Sequence, residues 1–412
     1  MTDDRLAIDG GTPVRTGGFP SGKKVGAEEL KELEDVIESG NMFYTSGTKV
    51  KQFAAEFAEI HGAKHAVTST SGTASLHVAI GMVNPSPGDE IIVGPITDIG
   101  SVIPILFQTA IPIFCEVRPD TFNMDPEDIE RKITEKTKAI IAIHLFGNPC
   151  DMDPIMEIAK KHNLIVIEDC SQAHMSEYKG RLVGTMGHIG CFSLQQSKHI
   201  TTGDGGITIT NDDELGVRGK LFADKGWHRD EYGPRRYTVF GINYRMNELT
   251  GAVALAQTRK LKDIIALRRA RGDLLGELIA DNPHVQPQTL LEGCKHTYWQ
   301  YGMRVLDDAP FEPAEFAKAL KAEGIPCGQG YIGKPIFLCH EALQQQKIFG
   351  LSRFPFDHPN ARPGITYDES TCPITQRVLD RLLTTSVSQF LSEADIRDMA
   401  AGINKVSRLL GT

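Results

Sequence analysis

The chain has 412 residues, 41% of them hydrophobic, so it is long enough for two or three domains around a sizeable core. Its formal net charge of −9 argues against nucleic acid as a partner. It contains no run of about 18 apolar residues, so we expect no membrane-spanning helix.

The first 260 residues have the pattern of an α/β domain. Residues 24–62 predict two helices around a Tyr-Thr-Ser-Gly-Thr turn. Short runs rich in isoleucine and valine then alternate with helical segments such as DPIMEIAKKH. The runs that predict strands are residues 88–94, 109–117, 137–147, 162–169, 188–194 and 205–210. Strands that alternate with helices predict a largely parallel sheet with both faces covered.

From about residue 261 the pattern changes. Helices are predicted at 261–282, 311–324 and 392–410, with extended pieces such as 296–306 around them. Residues 329–372 are rich in Gly, Pro and aromatic residues without a clear period, which predicts a loop. We therefore predict a large domain at 1–260, including an N-terminal helical arm, and a smaller α+β domain at 261–412.

The eight cysteines are scattered and form no C-x-x-C pair. Several lie inside apolar runs, as Cys191 does in IGCFS, which favours buried reduced thiols over disulfides or a zinc site. The first residues, MTDDRLAIDGGTPVRTGG, lack the apolar centre of a signal peptide. These observations predict a cytoplasmic protein without a metal site.

The segment FSLQQSKHITTGDGG places one lysine, Lys198, on a glycine-rich loop between two predicted strands. Burying a lysine there is unfavourable unless its amine has a partner or a chemical role. The usual role is a Schiff base with a carbonyl or with pyridoxal phosphate. Considered alone, Lys198 is more consistent with an ordinary lysine on a surface loop, and only the candidate groups described next favour the chemical role.

Other segments offer what pyridoxal phosphate requires besides a lysine. Residues 69–74, STSGTA, place hydroxyls and a glycine before a helical pattern, which suits a phosphate but is also an ordinary helix cap. Ser193 could add a further hydroxyl to the phosphate.

Asp169 ends the predicted strand NLIVIED, at the end where open α/β sheets bind ligands. It could protonate the pyridine nitrogen or only cap a turn, whereas Glu168 points to the other face. Gln172 could reach the ring hydroxyl, and His174 is more consistent with a structural role.

The sequence resembles the sugar or cyclitol aminotransferase family often called DegT/DnrJ/StrS, which has the fold-type-I architecture of aspartate aminotransferase. The segments that carry this resemblance are 40–58, SGTASL, GDEIIVG, HLFGNPCDMD, IEDCSQAH, FSLQQSKHITTGDGG and GINYRMNELTGAVALAQ. The resemblance implies an α/β fold in which a large domain with a mostly parallel mixed sheet binds pyridoxal phosphate. A smaller C-terminal α+β domain completes it.

The resemblance also implies a role for each candidate residue. Lys198 would be the Schiff-base lysine and proton shuttle, Asp169 would pair with the pyridinium nitrogen, and Gln172 would lie beside the ring hydroxyl.

The phosphate would be held by Gly72, Thr73 and Ser193. Asn243, in GINYRM, resembles the asparagine that reaches the phosphate bound by the neighbouring subunit. Each active site would then need two chains, and the enzyme would be an obligate homodimer.

Two segments depart from the pattern of this family. Its members usually have an aromatic residue stacked on the pyridine ring after the Gly-Asp-Glu strand, whereas this chain has Thr97, Asp98 and Ile99 there. Nucleotide-sugar members typically carry a His-Tyr pair ahead of a proline. Here Tyr331 and Pro335 are present without the histidine, which leaves room for a cyclitol ketone or another keto-sugar.

The loop at 225–237 is a further candidate for ligand binding. Its Arg229, Arg235 and Arg236 could bind a donor carboxylate or a substrate phosphate, or the loop could simply be solvated. Trp227 is equally consistent with packing and with a substrate contact.

Together these residues predict transamination in amino-sugar or antibiotic biosynthesis, from glutamate or glutamine to a keto-sugar or keto-cyclitol. A deoxysugar dehydratase of the same fold is one alternative. In those relatives the lysine is replaced, or an iron–sulfur cluster assists, whereas Lys198 is present and the cysteines are scattered. A non-catalytic regulator that binds pyridoxal phosphate or a sugar is the other alternative.

Overall fold

The computed structural model describes residues 5–229 and 233–412. Within them the helices are α1 Ala27–Ser39, α2 Lys49–His61, α3 Gly72–Val83, α4 Ile103–Phe107, α5 Pro126–Lys132, α6 Met152–His162, α7 Asp213–Ala223, α8 Glu248–Leu278, α9 Pro313–Ala322, α10 Glu341–Gln344, α11 Pro373–Arg381 and α12 Glu393–Leu410. The strands are β1 His65–Ser69, β2 Glu90–Val93, β3 Ile111–Phe114, β4 Thr137–Ile143, β5 Ile165–Asp169, β6 Glu177–Tyr178, β7 Arg181–Leu182, β8 Ile189–Ser193, β9 Gly206–Thr210, β10 Val285–Pro287, β11 Tyr301–Val305, β12 Gly328–Gln329 and β13 Leu382–Thr385.

Seven strands form one mixed sheet in the order β1-β9-β8-β5-β4-β2-β3. Strands β8, β5, β4, β2 and β3 are parallel to one another, and β9 is antiparallel to both of its neighbours. Helices α2, α6 and α8 cover one face, and α3, α4 and α7 cover the other. Because both faces are buried, the strand sequences are continuous apolar runs instead of alternating ones. The largely parallel sheet predicted from the sequence is confirmed.

A second sheet contains β10, β11, β13 and β12 in that order, with all neighbours antiparallel. It packs with α9, α12 and the end of α8 around a core of its own. Helices α9 and α12 lie where the sequence predicts them. Helix α8 runs without a break across residue 260, the predicted end of the large domain, so one helix links the two sheets.

Some segments are more irregular, or more ordered, than their sequences suggest. Of the extended piece predicted at 296–306, only Tyr301–Val305 is a strand. The loop predicted at 329–372 contains the short helix α10 and one 3₁₀ turn, Ile336–Cys339.

Two expectations from composition can be compared with the structure. All eight cysteines are unpaired, and seven are buried while Cys339 is exposed. Among residues 5–229 and 233–412, no helix combines the length and the apolar content needed to cross a bilayer.

Several chain segments converge at one edge of the large sheet. Strand β1 leads into α3, which Ser71 caps, while β5 ends at Asp169 and β8 ends at Ser193. Strands β5 and β8 are parallel neighbours, so their carboxyl ends lie side by side. The loop at 194–205 then carries Lys198 along this edge before the chain returns as β9.

Candidate active site

A cavity of about 300 Å³ opens at this edge of the sheet. Six of the seven site residues predicted from the sequence line it: Gly72, Thr73, Asp169, Gln172, Ser193 and Lys198. The seventh, Asn243, is exposed and does not line it. The structure therefore brings together the candidate lysine, carboxylate, amide and phosphate-binding groups.

Lys198 enters the cavity from the loop between β8 and β9. Its Nζ lies 4.1 Å from the centre of the Trp299 ring, close enough for a cation–π contact. Burial lowers the pKa of Lys198, although the nearby carboxylates of Asp169 and Asp98 act in the opposite direction. At a given pH, more of this amine is neutral than in an exposed lysine. The neutral form is the one that acts as a nucleophile or a base.

Asp169 is oriented by two hydrogen-bond donors. Ser101 Oγ donates to Asp169 Oδ2 at 2.7 Å, and the N–H of Ser171 donates to Oδ1 at 3.0 Å. The hydroxyls of Ser101 and Thr97 are 2.7 Å apart, which extends the network along the cavity wall. The carboxylate is thus held in place as an acceptor by the protein itself.

Glu168, the neighbour of Asp169, points to the opposite face of the strand, as alternation predicts. It is fully buried and accepts three backbone N–H groups from residues 184–187 at 2.6 to 2.8 Å. His144 Nε2 lies 3.0 Å from its Oε2. Although His144, Glu168 and Cys170 are close enough to share a metal ion, both Glu168 oxygens already accept hydrogen bonds. Glu168 therefore holds the loop at 184–187 in place, and Asp169 is the carboxylate that faces the cavity.

Gln172 is fixed at both ends of its amide. The N–H of Phe146 donates to Gln172 Oε1 at 2.8 Å, and Gln172 Nε2 donates to the Tyr331 hydroxyl at 3.2 Å. Burial raises the pKa of Tyr331 to about 12, so this hydroxyl keeps its proton at neutral pH. Gln172 and the tyrosine noted in the sequence therefore form one polar corner of the cavity.

The start of α3 and the end of β8 form a cradle for an anion. Ser71 caps the helix, its Oγ accepting the N–H of Ala74 at 3.0 Å. The N–H groups of the first turn, which contains Gly72 and Thr73, have no intrahelical acceptor. A Cβ on Gly72 would lie 2.6 Å from Ser193 Cβ and 2.7 Å from Ser193 Oγ. Glycine thus brings helix backbone and hydroxyl together, in a geometry that suits a phosphate.

The segment after β2 contributes polar groups to the cavity. Thr97 and Asp98 line it, and Ile99 does not. Among the residues lining the cavity, the aromatic rings are those of Trp299 and Tyr331, which come from the C-terminal part of the chain. The segment after β2 therefore contributes no aromatic ring to the cavity, in agreement with its sequence.

Trp299 is a site residue that the sequence reading missed. Its indole N–H donates to the carbonyl of Ser197 at 3.0 Å, and its backbone N–H donates to the carbonyl of Phe146 at 2.7 Å. In the sequence it is one of several aromatic residues at 296–306, and no local signal separates it from packing residues.

The arginine loop lies away from the cavity lining, and its residues 230–232 are outside the described residues. Arg229 and Arg245 both pair with the buried carboxylate of Asp224. The guanidinium groups of Arg229 and Arg235 lie 3.9 and 4.6 Å from the centre of the Trp227 ring. The arginines predicted to bind an anion, Arg229, Arg235 and Arg236, do not line the cavity. Trp227 packs against two of them.

Comparisons with known proteins add to this geometry. A sequence profile of the DegT/DnrJ/EryC1/StrS aminotransferase family matches residues 23–403. The L-glutamine:2-deoxy-scyllo-inosose aminotransferase of Streptomyces kanamyceticus is 33% identical, over 98% of this chain and 97% of the relative. The GDP-perosamine synthase of Escherichia coli O157:H7 is 42% identical over 65% of this chain and 73% of the relative. An aminotransferase structure from Psychrobacter cryohalolentis matches with a TM-score of 0.80 and 31% identity, covering 95% of this chain and 98% of the other.

Proposed function

Because this chain belongs to the DegT/DnrJ/EryC1/StrS aminotransferase family, we propose that it transfers an amino group from glutamine or glutamate to a keto-cyclitol or keto-sugar. The cofactor would be pyridoxal 5′-phosphate bound at Lys198. One observation carries the assignment: a lysine with a lowered pKa shares a cavity with an oriented carboxylate and an anion cradle.

The residues of the cavity fit this cofactor. The cradle between Gly72 and Ser193 suits its phosphate, and the Asp169 carboxylate suits a protonated pyridine nitrogen. The amide of Gln172 suits the ring hydroxyl, and the amine of Lys198 suits the aldehyde. When bound, pyridoxal phosphate supplies an electron sink and carries the amino group between two half-reactions.

The chain's own residues supply proton transfer and orientation. Lys198 Nζ is the base that takes the proton from the donor α-carbon, and its lowered pKa favours the neutral form that this step needs. Trp299 covers the amine on one side, which restricts water there. Asp169, with Ser101 as its donor, keeps a negative charge in place for the pyridine nitrogen.

The substrate class rests on the relatives and on the cavity wall. The relative that matches over nearly the full length of both chains is named for glutamine and a scyllo-inosose, which is a polyhydroxylated ring. Asp98 faces the same cavity, with Oδ1 accepting the N–H of Gly100 at 2.8 Å. A carboxylate at this position suits substrate hydroxyls as hydrogen-bond donors.

Replacing the lysine tests the assignment. Lys198→Ala should abolish amino transfer from glutamine to 2-deoxy-scyllo-inosose and to other keto-cyclitols and keto-sugars, because no other lysine among the described residues lines the cavity. It should also remove the visible absorbance of the bound cofactor. The control is Lys138→Ala, a change at an exposed lysine, which should leave both unchanged. Turnover by Lys198→Ala would contradict the assignment, and deoxygenation of a keto-sugar by the wild type would favour the dehydratase alternative.

The proposal includes a homodimer in which Asn243 serves the partner's cavity. Asn243 is exposed and outside its own cavity, so in a single chain it has no cofactor to bind. Near it in the sequence, Phe240 is fully exposed, and Tyr237 and Ile242 are 52% and 38% exposed. Exposed apolar side chains of this kind mark protein interfaces.

Mixing two impaired variants tests the shared site. Asn243→Ala should be weakly active, and Lys198→Ala should be inactive. After the two are unfolded and refolded together, a mixed dimer holds one site with both residues intact. Activity should recover to about a quarter of the wild-type value, since half of the dimers are mixed and each has one complete site. No recovery above the Asn243→Ala level would show that Asn243 acts within its own chain or not at all.

A further inference from the structure

Three consecutive carbonyl groups around Lys198 are held by side chains from distant parts of the chain. Lys24 Nζ donates to the carbonyls of Gln196 and Lys198, at 3.0 and 2.5 Å. Between them, the carbonyl of Ser197 accepts the indole N–H of Trp299 at 3.0 Å. The backbone on both sides of the reactive lysine is therefore fixed from outside the large sheet.

The Lys24 segment is itself anchored to α8. Gln257 is fully buried, and its Nε2 donates to the carbonyl of Lys24 at 2.7 Å. The Oε1 of the same side chain accepts the N–H of Thr201 at 3.1 Å. Gln257 thus ties the N-terminal arm to the far end of the Lys198 loop, so the amine of Lys24 is brought to the loop by a fixed support.

Burying a second amine beside Lys198 is electrostatically unfavourable unless that amine makes stabilising contacts. Burial and the neighbouring charges of Arg268 and Lys198 lower the pKa of Lys24 to about 8. Lys24 does not line the cavity. Its two hydrogen bonds to loop carbonyls are the contacts that offset this cost.

We propose that Lys24 is a positioning residue for Lys198: by holding the carbonyls of Gln196 and Lys198, it fixes the direction in which the reactive amine enters the cavity. This inference rests on the proposed role of Lys198. Because Lys24 does not line the cavity, its effect would reach the reaction through the loop. A reacting amine displaced by about 1 Å is expected to lose up to about a hundredfold in rate.

Methionine at position 24 tests this role, because it keeps the length of the side chain and removes its donors. In the cofactor-loaded enzyme, Lys24→Met should lower kcat by about ten- to a hundredfold and change KM by less than about threefold. Lys24→Arg, which restores donors, should recover part of kcat. The matched control is Lys23→Met, since Lys23 is the adjacent lysine and is exposed.

Hydrogen exchange of the loop provides a readout that does not depend on activity. In the protein without added cofactor, Lys24→Met should speed amide exchange in residues 195–203, while Lys24→Arg and Lys23→Met should stay near the wild type. Unchanged exchange in Lys24→Met would overturn the proposal, as would faster exchange with an unchanged kcat. In the second case Lys198→Ala decides the cause: if that variant also turns over, the proposed function has failed, and if it is inactive, only the positioning role has. If Lys24→Met does not fold, Lys24→Gln is measured in the same way.

Discussion

The loop that carries Lys198 separates two regions that differ in the hydrogen bonding of their buried polar groups. In front of it, the cavity holds Asp169, Gln172 and Tyr331, each of which has a hydrogen-bond partner in the protein. Behind it lies a cluster of three fully or nearly buried histidines: His61, His174 and His199.

The histidines of the rear cluster pack mainly against rings. His174 lies 5.5 Å from the Phe192 ring and 5.6 Å from the His199 ring, centre to centre. Four of their ring nitrogens lack a hydrogen-bond partner among the described residues: His61 Nε2, His174 Nδ1, His174 Nε2 and His199 Nδ1. Burial lowers the pKa of His61 to about 4 and of His174 to about 3. These imidazoles are therefore neutral at physiological pH.

The difference shows how hydrogen-bond partners decide whether a buried polar group can carry a charge. In front, donors fixed by the protein support a carboxylate where chemistry requires a charge. Behind, burial with at most one hydrogen-bond partner for each imidazole makes a charge unfavourable, so the histidines pack as neutral aromatic rings. The adjacent residues Lys198 and His199 belong to different sides of this boundary, at a turn in which the N–H of Lys198 donates to the carbonyl of Gln195 at 2.9 Å.

We expect the largest effect from a substitution on the cavity side, Gly72→Ala, which adds one methyl group. In Gly72→Ala the new Cβ would meet Ser193 Cβ at 2.6 Å, so the cradle must open. We expect the Kd for pyridoxal phosphate to rise about tenfold or more, and the free energy of unfolding to fall by about 1–3 kcal/mol. Absorbance titration and urea unfolding measure these two quantities.

Ser193→Gly in the same chain provides the control for Gly72→Ala. The double variant removes the clash and should recover the stability, but it should not recover the affinity, because the Ser193 hydroxyl is lost. Wild-type affinity in the double variant would mean that Ser193 does not hold the phosphate.

A smaller effect, on the pH dependence of the unfolding free energy, is expected from a substitution in the histidine cluster behind the loop. Below about pH 6.5 the unfolded chain protonates His174 while the folded protein does not, so stability falls as the pH falls. Each such histidine contributes about 1.4 kcal/mol per pH unit. His174→Phe should therefore reduce the slope of unfolding free energy between pH 6 and pH 4 by about this amount.

Urea unfolding at several pH values measures that slope for wild type and His174→Phe. Above pH 7 the two proteins should differ by a constant amount, which serves as the internal control. Equal slopes in the acid range would mean that His174 takes up a proton in the folded protein and has a partner there.

The parts that sequence predicted well are those encoded locally. Strands β2, β4 and β5 are runs rich in isoleucine and valine, and β8 is a mixed apolar run, so their type follows from composition. Asp169 and Ser193 end two of these strands, and parallel neighbours bring their ends together. The candidate cofactor-binding residues are predicted from this arrangement together with the family resemblance.

The parts that sequence did not predict depend on distant segments meeting. Ser101 is 68 residues from Asp169, Trp299 is 102 from Ser197, and Lys24 is 174 from Lys198. Hydroxyls, indoles and amines of these kinds occur throughout the chain, and a single sequence does not say which loops touch. Very short elements such as β12, with two residues, also give too little pattern to detect.

The position of Trp299 has an optical consequence. The chain has two tryptophans, and the ring of Trp299 stands 4.1 Å from the amine that would carry the cofactor, whereas Trp227 packs against arginines outside the cavity. An excited indole passes its energy to a coloured group at such short range, so the ultraviolet emission of Trp299 is quenched when that group is in place. The ultraviolet fluorescence of Trp299 therefore reports whether the site is occupied.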